Sequence, residues 1–166
     1  KAASGVEVRF MYDGMCSLTL VPYGYPKQLE QYGIRCKMFS PVRPVLSSAQ
    51  NNRDHRKITV IDGHTAFTGG INLADEYINR KVRFGHWKDT AIMLKGDAVT
   101  GFLMMFLQMW NITEHQADDY ARYLCKPDYQ YPAGLDRSGF AMPYGDSPLD
   151  NELVGQHVYM DILNES

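Results

Sequence analysis

No apolar run in this 166-residue sequence is long enough to cross a bilayer. The longest, Ala98 to Trp110, is interrupted by Thr100, Gly101 and Gln108 and falls short of the roughly 20 residues that a spanning helix needs. An excess of one charge sign is also missing. With 17 Lys and Arg against 19 Asp and Glu, the net charge is -2 and the pI near 6.2, so any anion must be attracted by local groups and not by the chain as a whole. Cysteine is scarce: Cys16, Cys36 and Cys125 are odd in number and widely spaced. That fits neither a disulfide framework nor a zinc motif, and reads as reduced thiols of a cytosol-facing segment. Lys1 to Gly5 lack the charged-then-apolar pattern of a secretory leader, and the missing initiator Met is what a chain that begins mid-protein would show. There is no internal repeat and no low-complexity tract.

What is present is the composition of an ordinary globular domain, with 45% hydrophobic and 12% aromatic residues, enough to bury a core. Val6 to Tyr12 reads as a buried strand, Pro26 to Tyr32 as a short helix stopped by Gly33, and Ile34 to Phe39 as a second strand, a β-α-β opening. A proline-bearing loop, Ser40 to Asn52, follows. Two β-rich runs, Lys57 to Ile61 and His64 to Thr68, flank Asp62-Gly63, a strong signal for a two-residue hairpin turn. Asn72 to Ile78 is expected to start a short helix and Trp87 to Leu94 to form a strand. Ala98 to Trp110 is expected to be a helix whose Phe102, Met104, Met105, Phe106, Met109 and Trp110 face the core. The interleaving of strands and helices predicts an α/β fold, a layered sandwich with a mixed sheet flanked by helices. Residues 1–125 then form one unit, 126–138 a polar and aromatic linker, and 139–166 the start of another unit. In that last stretch Gly139 to Met142 is expected as a strand and Asn151 to Leu163 as a helix.

His55 and Lys57 carry the chemistry. Two residues apart on a predicted strand, their side chains point to one face and can meet one ligand. An ammonium makes charge-assisted hydrogen bonds to phosphate oxygens, and an imidazole serves as nucleophile toward phosphorus or as general acid near neutral pH. Asp62 completes the spacing His-x-Lys-x-x-x-x-Asp, although aspartate before glycine is a favoured turn pair and its position reads as holding the turn. Beyond the hairpin, Gly69 and Gly70 let backbone approach a ligand closely, and Asn72 can donate to a phosphate oxygen or cap the following helix, with Asp75 at the capping-box position. His64, His86 and His115 share no ligand spacing with His55, so no metal is expected.

His55-Arg56-Lys57-Ile58-Thr59-Val60-Ile61-Asp62 followed by Gly69-Gly70-Ile71-Asn72 resembles the His-Lys-Asp signature of the phospholipase D superfamily. Asn52-Arg53-Asp54, Asp75-Glu76-Tyr77, Phe84-Gly85-His86-Trp87-Lys88-Asp89-Thr90 and the stretch from Pro143 to Glu152 look like its bacterial cardiolipin synthase branch. Gly70 stands where many relatives carry serine. One signature is present where family members have two, so the resemblance implies a first catalytic half and the start of a second, with the second histidine, lysine and aspartate beyond Ser166.

The resemblance implies phosphatidyl transfer from one phosphatidylglycerol to another, releasing glycerol, through a covalent phosphohistidine and without cofactor or metal. His55 would then act as nucleophile or acid, Lys57, Asn72 and Gly70 would meet the phosphate, and Asp89 would be the carboxylate set against the motif imidazole. The bland reading of Asp89 is a surface carboxylate paired with Lys88 or Arg83. The implied partners are membrane lipid and the second catalytic half, or a second copy of the chain, at a cell membrane whose anchors lie outside this stretch. Other superfamily phosphodiesterases, including nucleases, and a non-catalytic scaffold are the alternatives. The acidic balance argues against nucleic acid as partner.

Overall fold

The computed structural model describes residues 1–15, 17, 19–42, 52–124, 130, 133–134, 139–147 and 151–165. Cys16, Cys125, most of the proline-bearing loop and most of the linker 126–138 lie outside them. The chain divides into two compact units, Lys1–His55 and Arg56–Ser166. Both parallel and antiparallel strands occur beside helices, an α/β arrangement. Among the described residues no helix is long and apolar enough to cross a membrane.

In the first unit β1 (Val8–Asp13) pairs in parallel with β2 (Ile34–Phe39), from Val8 opposite Ile34 to Asp13 opposite Phe39. Parallel neighbours need a crossover, and α1 (Tyr25–Glu30) provides it. Pro26 sits in its first turn, where a missing N–H costs nothing. Gly33, at φ 76°, ends it by donating its N–H to the Glu30 carbonyl at 2.9 Å, the left-handed stop that glycine adopts without a Cβ penalty. Cys36 is buried on β2. Burial first, and then the nearby Glu30 carboxylate, push its thiol up to about 11, so it stays protonated and packs as a small hydrophobe.

In the second unit β3 (Ile58–Ile61), β4 (Thr65–Gly69) and β5 (Ala91–Lys95) form an antiparallel sheet in that order. The turn between β3 and β4 falls at Asp62-Gly63. Both have positive φ, 51° and 69°, and the His64 N–H bonds the Ile61 carbonyl, the features of the turn that matches strand twist. Pairing resumes with Ile61 opposite Thr65, so His64 also belongs to the loop, one residue more than expected.

Period-two alternation turns Ile58, Val60, Ala66 and Leu94 to one face, where they pack against Val99 and Phe102 of α2 (Val99–Asn111). Val99, Phe102, Leu103, Leu107 and Trp110 form the buried stripe of α2, at the spacing of one helix face. Each such side chain contributes roughly 1.5–3 kcal/mol. Of the residues expected in this core, Phe102 and Trp110 are buried, while Met104, Met105, Phe106 and Met109 are half-buried. Phe106 stacks on Trp110 at 5.7 Å.

Several elements differ from expectation. β3 begins at Ile58, so His55 and Lys57 precede the strand and are not part of its ladder. The last expected strand starts at Ala91 and not at Trp87. Asn72 to Ile78 makes turns in place of a helix: the Ala74 N–H bonds the Asn72 carbonyl, and both Arg80 and Lys81 donate to the Asp75 carbonyl. A helix of under two turns has little stability of its own, and contacts farther along the chain decide otherwise. Finally, 139–147 contains no strand, because an extended stretch needs a neighbouring edge to bond. Instead it lies along α2, with Pro143 against Gly101 and Gly145 against Met105. The helix expected near the end is α3 (Val154–Glu165), with no buried residue. Asp146 caps it from outside by accepting from the Gly155 N–H at 3.0 Å.

Candidate active site

One end of the three-stranded sheet holds Gly69, Gly70 and Asp89, with Lys57 one residue before β3. Ile58 pairs with Thr68, and Gly69 with Ala91. Lys57 immediately precedes β3 and is half-buried, and the paired Gly69 and Ala91 close that end of the ladder. The close approach demands glycine: a Cβ on Gly69 would lie against the Thr90 carbonyl and 2.7 Å from the Ala91 Cα. Since backbone has to move to admit it, Gly69→Ala is expected to cost about 1–3 kcal/mol, read as a lowered midpoint in thermal unfolding.

Gly70 continues the pairing by donating its N–H to the Thr90 carbonyl at 3.2 Å. That amide is therefore engaged, and what Gly70 offers is space. A Cβ there would meet Asp89 Oδ1, with the carboxyl carbon at 3.1 Å. The carboxylate of Asp89 thus fills the place that a side chain at position 70 would take. Asp89 accepts from Trp87 Nε1 at 3.2 Å and from the Thr90 N–H at 2.8 Å. It does not pair with Arg83, whose guanidinium bonds Glu76 at 3.0 Å. These two donors fix the orientation of the Asp89 carboxylate.

Asn72 is half-buried, two residues beyond Gly70. With no helix following it, the capping reading is overturned. Asp62, exposed in the hairpin turn, is separated from Lys57 by the length of β3, roughly 13 Å, so the sheet sets these two apart. The Arg56 guanidinium lies against Gly145.

His55 is the exposed last residue of the first unit, and a residue that sequence reasoning missed leads the chain to it. Asp13, at the carboxyl end of β1, has a side chain only 6% exposed and lies 3.6 Å from the Arg53 guanidinium. Its other oxygen accepts from the Asp54 N–H at 3.3 Å, and Arg53 also donates to the Ser40 carbonyl at 2.7 Å. These bonds moor residues 53 and 54 at the carboxyl ends of β1 and β2, the end where open parallel sheets place their ligands. Asp13→Ala is expected to lose about 1–3 kcal/mol, while Asp13→Asn, which keeps an acceptor for the Asp54 amide, loses less. Chemical denaturation of the two variants checks this ordering.

A cardiolipin synthase of Geobacillus sp. (strain WCH70) is 36% identical to this chain over 169 residues, covering 100% of the chain and 32% of that protein. A cardiolipin synthase of Geobacillus kaustophilus is 42% identical over 133 residues, 80% of the chain and 25% of that protein. Along its whole length the chain is similar to part of a cardiolipin synthase. An uncharacterized protein of Streptococcus mutans is 53% identical over 166 residues, all of this chain and 35% of its own length. The chain therefore spans about a third or less of these relatives. No family model and no solved structure matches it. The mooring by Asp13 carries no local signal, because its partners stand about forty positions later.

Proposed function

We propose that this chain supplies one catalytic half of a phosphatidyltransferase that joins two phosphatidylglycerols into cardiolipin and releases glycerol. The observation that carries the reading is the identity to cardiolipin synthases over the whole chain, with His55, Lys57, Gly70 and Asn72 at the signature spacing. The fold would be the layered phospholipase D-like sandwich of that superfamily, acting at a cell membrane.

In the first step the His55 imidazole attacks phosphorus, a P–N bond forms, and the P–O bond to the departing glycerol breaks. A second histidine, from another copy of the signature on the same or a partner chain, gives its proton to the glycerol oxygen. In the second step the hydroxyl of another phosphatidylglycerol attacks phosphorus and surrenders its proton to that second histidine. The P–N bond breaks and His55 is restored. Lys57 and Asn72 meet the phosphoryl oxygens, where charge gathers in each transition state. Asp89 orients the His55 imidazole and supports its positive charge. Asp62 holds the hairpin. No cofactor enters the scheme.

The test is product stoichiometry with the complete gene product on phosphatidylglycerol vesicles. One glycerol released per cardiolipin formed is expected; phosphatidic acid without cardiolipin would make the protein a hydrolase. Asp89→Asn keeps a hydrogen-bond acceptor but loses the charge, and is expected to lower kcat about 10–100-fold with an unchanged melting temperature. Unchanged turnover between pH 6 and 9 would remove Asp89 from the site.

A further inference from the structure

The connection from β4 to β5, residues 70–90, exceeds the roughly 12–15 residues beyond which a structureless loop is unusual and commonly functional. It is internally braced. Asn79 donates from Nδ2 to the Trp87 carbonyl at 2.8 Å and accepts the Trp87 N–H at Oδ1 at 2.7 Å, closing a finger between positions 79 and 87. Tyr77 stands edge-on to the Trp87 ring at 4.9 Å, and Phe84 packs beside the same ring at 5.7 Å. Arg83 crosses from its ion pair with Glu76 to lie over Phe84 at 4.9 Å. This bracing holds the finger in a fixed form.

Its tip runs outward. Every residue from Ile78 to His86 is exposed, Val82 at 82% and Phe84 at 57%. Gly85, at φ 83°, has open space where a side chain would stand. The tip sequence Arg80-Lys81-Val82-Arg83-Phe84 interleaves three cations with two apolar side chains, and no carboxylate falls between 79 and 87. Leu73, 87% exposed, lies on the same connection. A chain with net charge -2 thus concentrates positive charge and bare apolar surface at one place. Water rewards neither the exposed Val82 nor the exposed Phe84, and a second protein surface would favour fewer charges at its centre. A bilayer interface accommodates both: apolar tips enter the acyl boundary while cations remain at the headgroups.

We infer that the finger 79–87 docks this chain on an anionic lipid surface, with Val82 and Phe84 inserted and Arg80 and Lys81 at the lipid phosphates. The inference rests on the phosphatidyltransferase reading and extends it, since the finger leaves and rejoins the sheet beside Gly70 and Asp89. Docking there would bring a lipid phosphate to the end of the sheet where Lys57 lies, without the lipid leaving its membrane.

The test is sedimentation of this 166-residue chain with phosphatidylcholine vesicles, with and without phosphatidylglycerol. Binding is expected only when the anionic lipid is present, and to weaken in high salt. Each cation at such a surface contributes roughly fivefold in partitioning, so Arg80→Glu with Lys81→Glu is expected to reduce binding at least tenfold, as is Val82→Ser with Phe84→Ser. All four side chains are exposed, and circular dichroism should show unchanged folding. As a second measurement, Val82→Trp is expected to add to the wild-type emission a component that is quenched by lipids brominated near the headgroup end of the acyl chain. Wild-type binding by both double variants, or an unquenched Trp at 82, would overturn the inference. Vesicle binding requires no turnover. Loss of phosphatidyl transfer with finger-dependent binding intact would contradict the enzymatic reading alone, and finger-independent binding would contradict the docking surface alone.

Discussion

Replacing His55 by alanine in the complete gene product is expected to lower cardiolipin formation by roughly 10⁴-fold or more, the scale seen when a nucleophile is removed from an intact site. The argument is chemical: in the proposed scheme the imidazole makes and breaks a bond to phosphorus, and only His55 begins the full His-x-Lys-x-x-x-x-Asp spacing, since His86-Trp87-Lys88 is followed by Met93 where the aspartate would stand. Because His55 is exposed, its removal leaves no cavity, and the melting temperature should stay within a degree or two. Activity loss without loss of fold separates a catalytic role from a structural one. His55→Gln, which fills similar volume without nucleophilic nitrogen, should be equally inactive.

Lys57→Ala is expected to reduce kcat by about 10²–10³, with a smaller change in KM. Charge on the phosphoryl oxygens grows between ground and transition state, so a cation facing them contributes most where the charge is greatest. Lys57→Arg should recover only part of the loss, because a planar guanidinium neither occupies the space nor directs its donors as a compact ammonium does. An equal rise in KM with kcat unchanged would place Lys57 in uniform substrate binding and remove it from transition-state stabilisation.

Local signals in the sequence proved sufficient where the deciding contact is local. Pro26 and Gly33 bracket α1 through their own backbone preferences, Asp62-Gly63 bends the hairpin through two positive φ angles, and the buried stripe of α2 follows from helical periodicity. Where a distant partner decides, the sequence misled. Asn72 to Ile78 has the composition of a helix start, yet Asn79 and Trp87 close on each other with two hydrogen bonds and draw the segment into a loop. The strand expected from Trp87 begins only at Ala91, since Trp87 is committed to Asn79 and Asp89 to its own neighbours. The ladder stops at Ile58, and His55 and Lys57 fall on the approach to the sheet and not within it.

The candidate site divides in the same way. Its proposed residues are read from a spacing, whereas the contacts that support them in the fold are not. Nothing near Asp13 announces that it will hold Arg53 and the Asp54 amide. Nor does anything near Gly70 announce that Asp89, nineteen positions on, will fill the space its missing side chain leaves. Both are contacts between segments that only folding brings together.

The central claim, that His55 carries the phosphatidyl group during transfer, is tested most directly by trapping the intermediate. The complete gene product would be mixed with phosphatidylglycerol radiolabelled at phosphorus, quenched in alkali within one turnover, and digested for peptide mapping. Label that survives alkali, is released by acid and maps to the peptide holding His55 is the predicted result, and the His55→Ala protein should carry none. Rapid cardiolipin formation with label found only on another residue, or on no residue, would contradict the account.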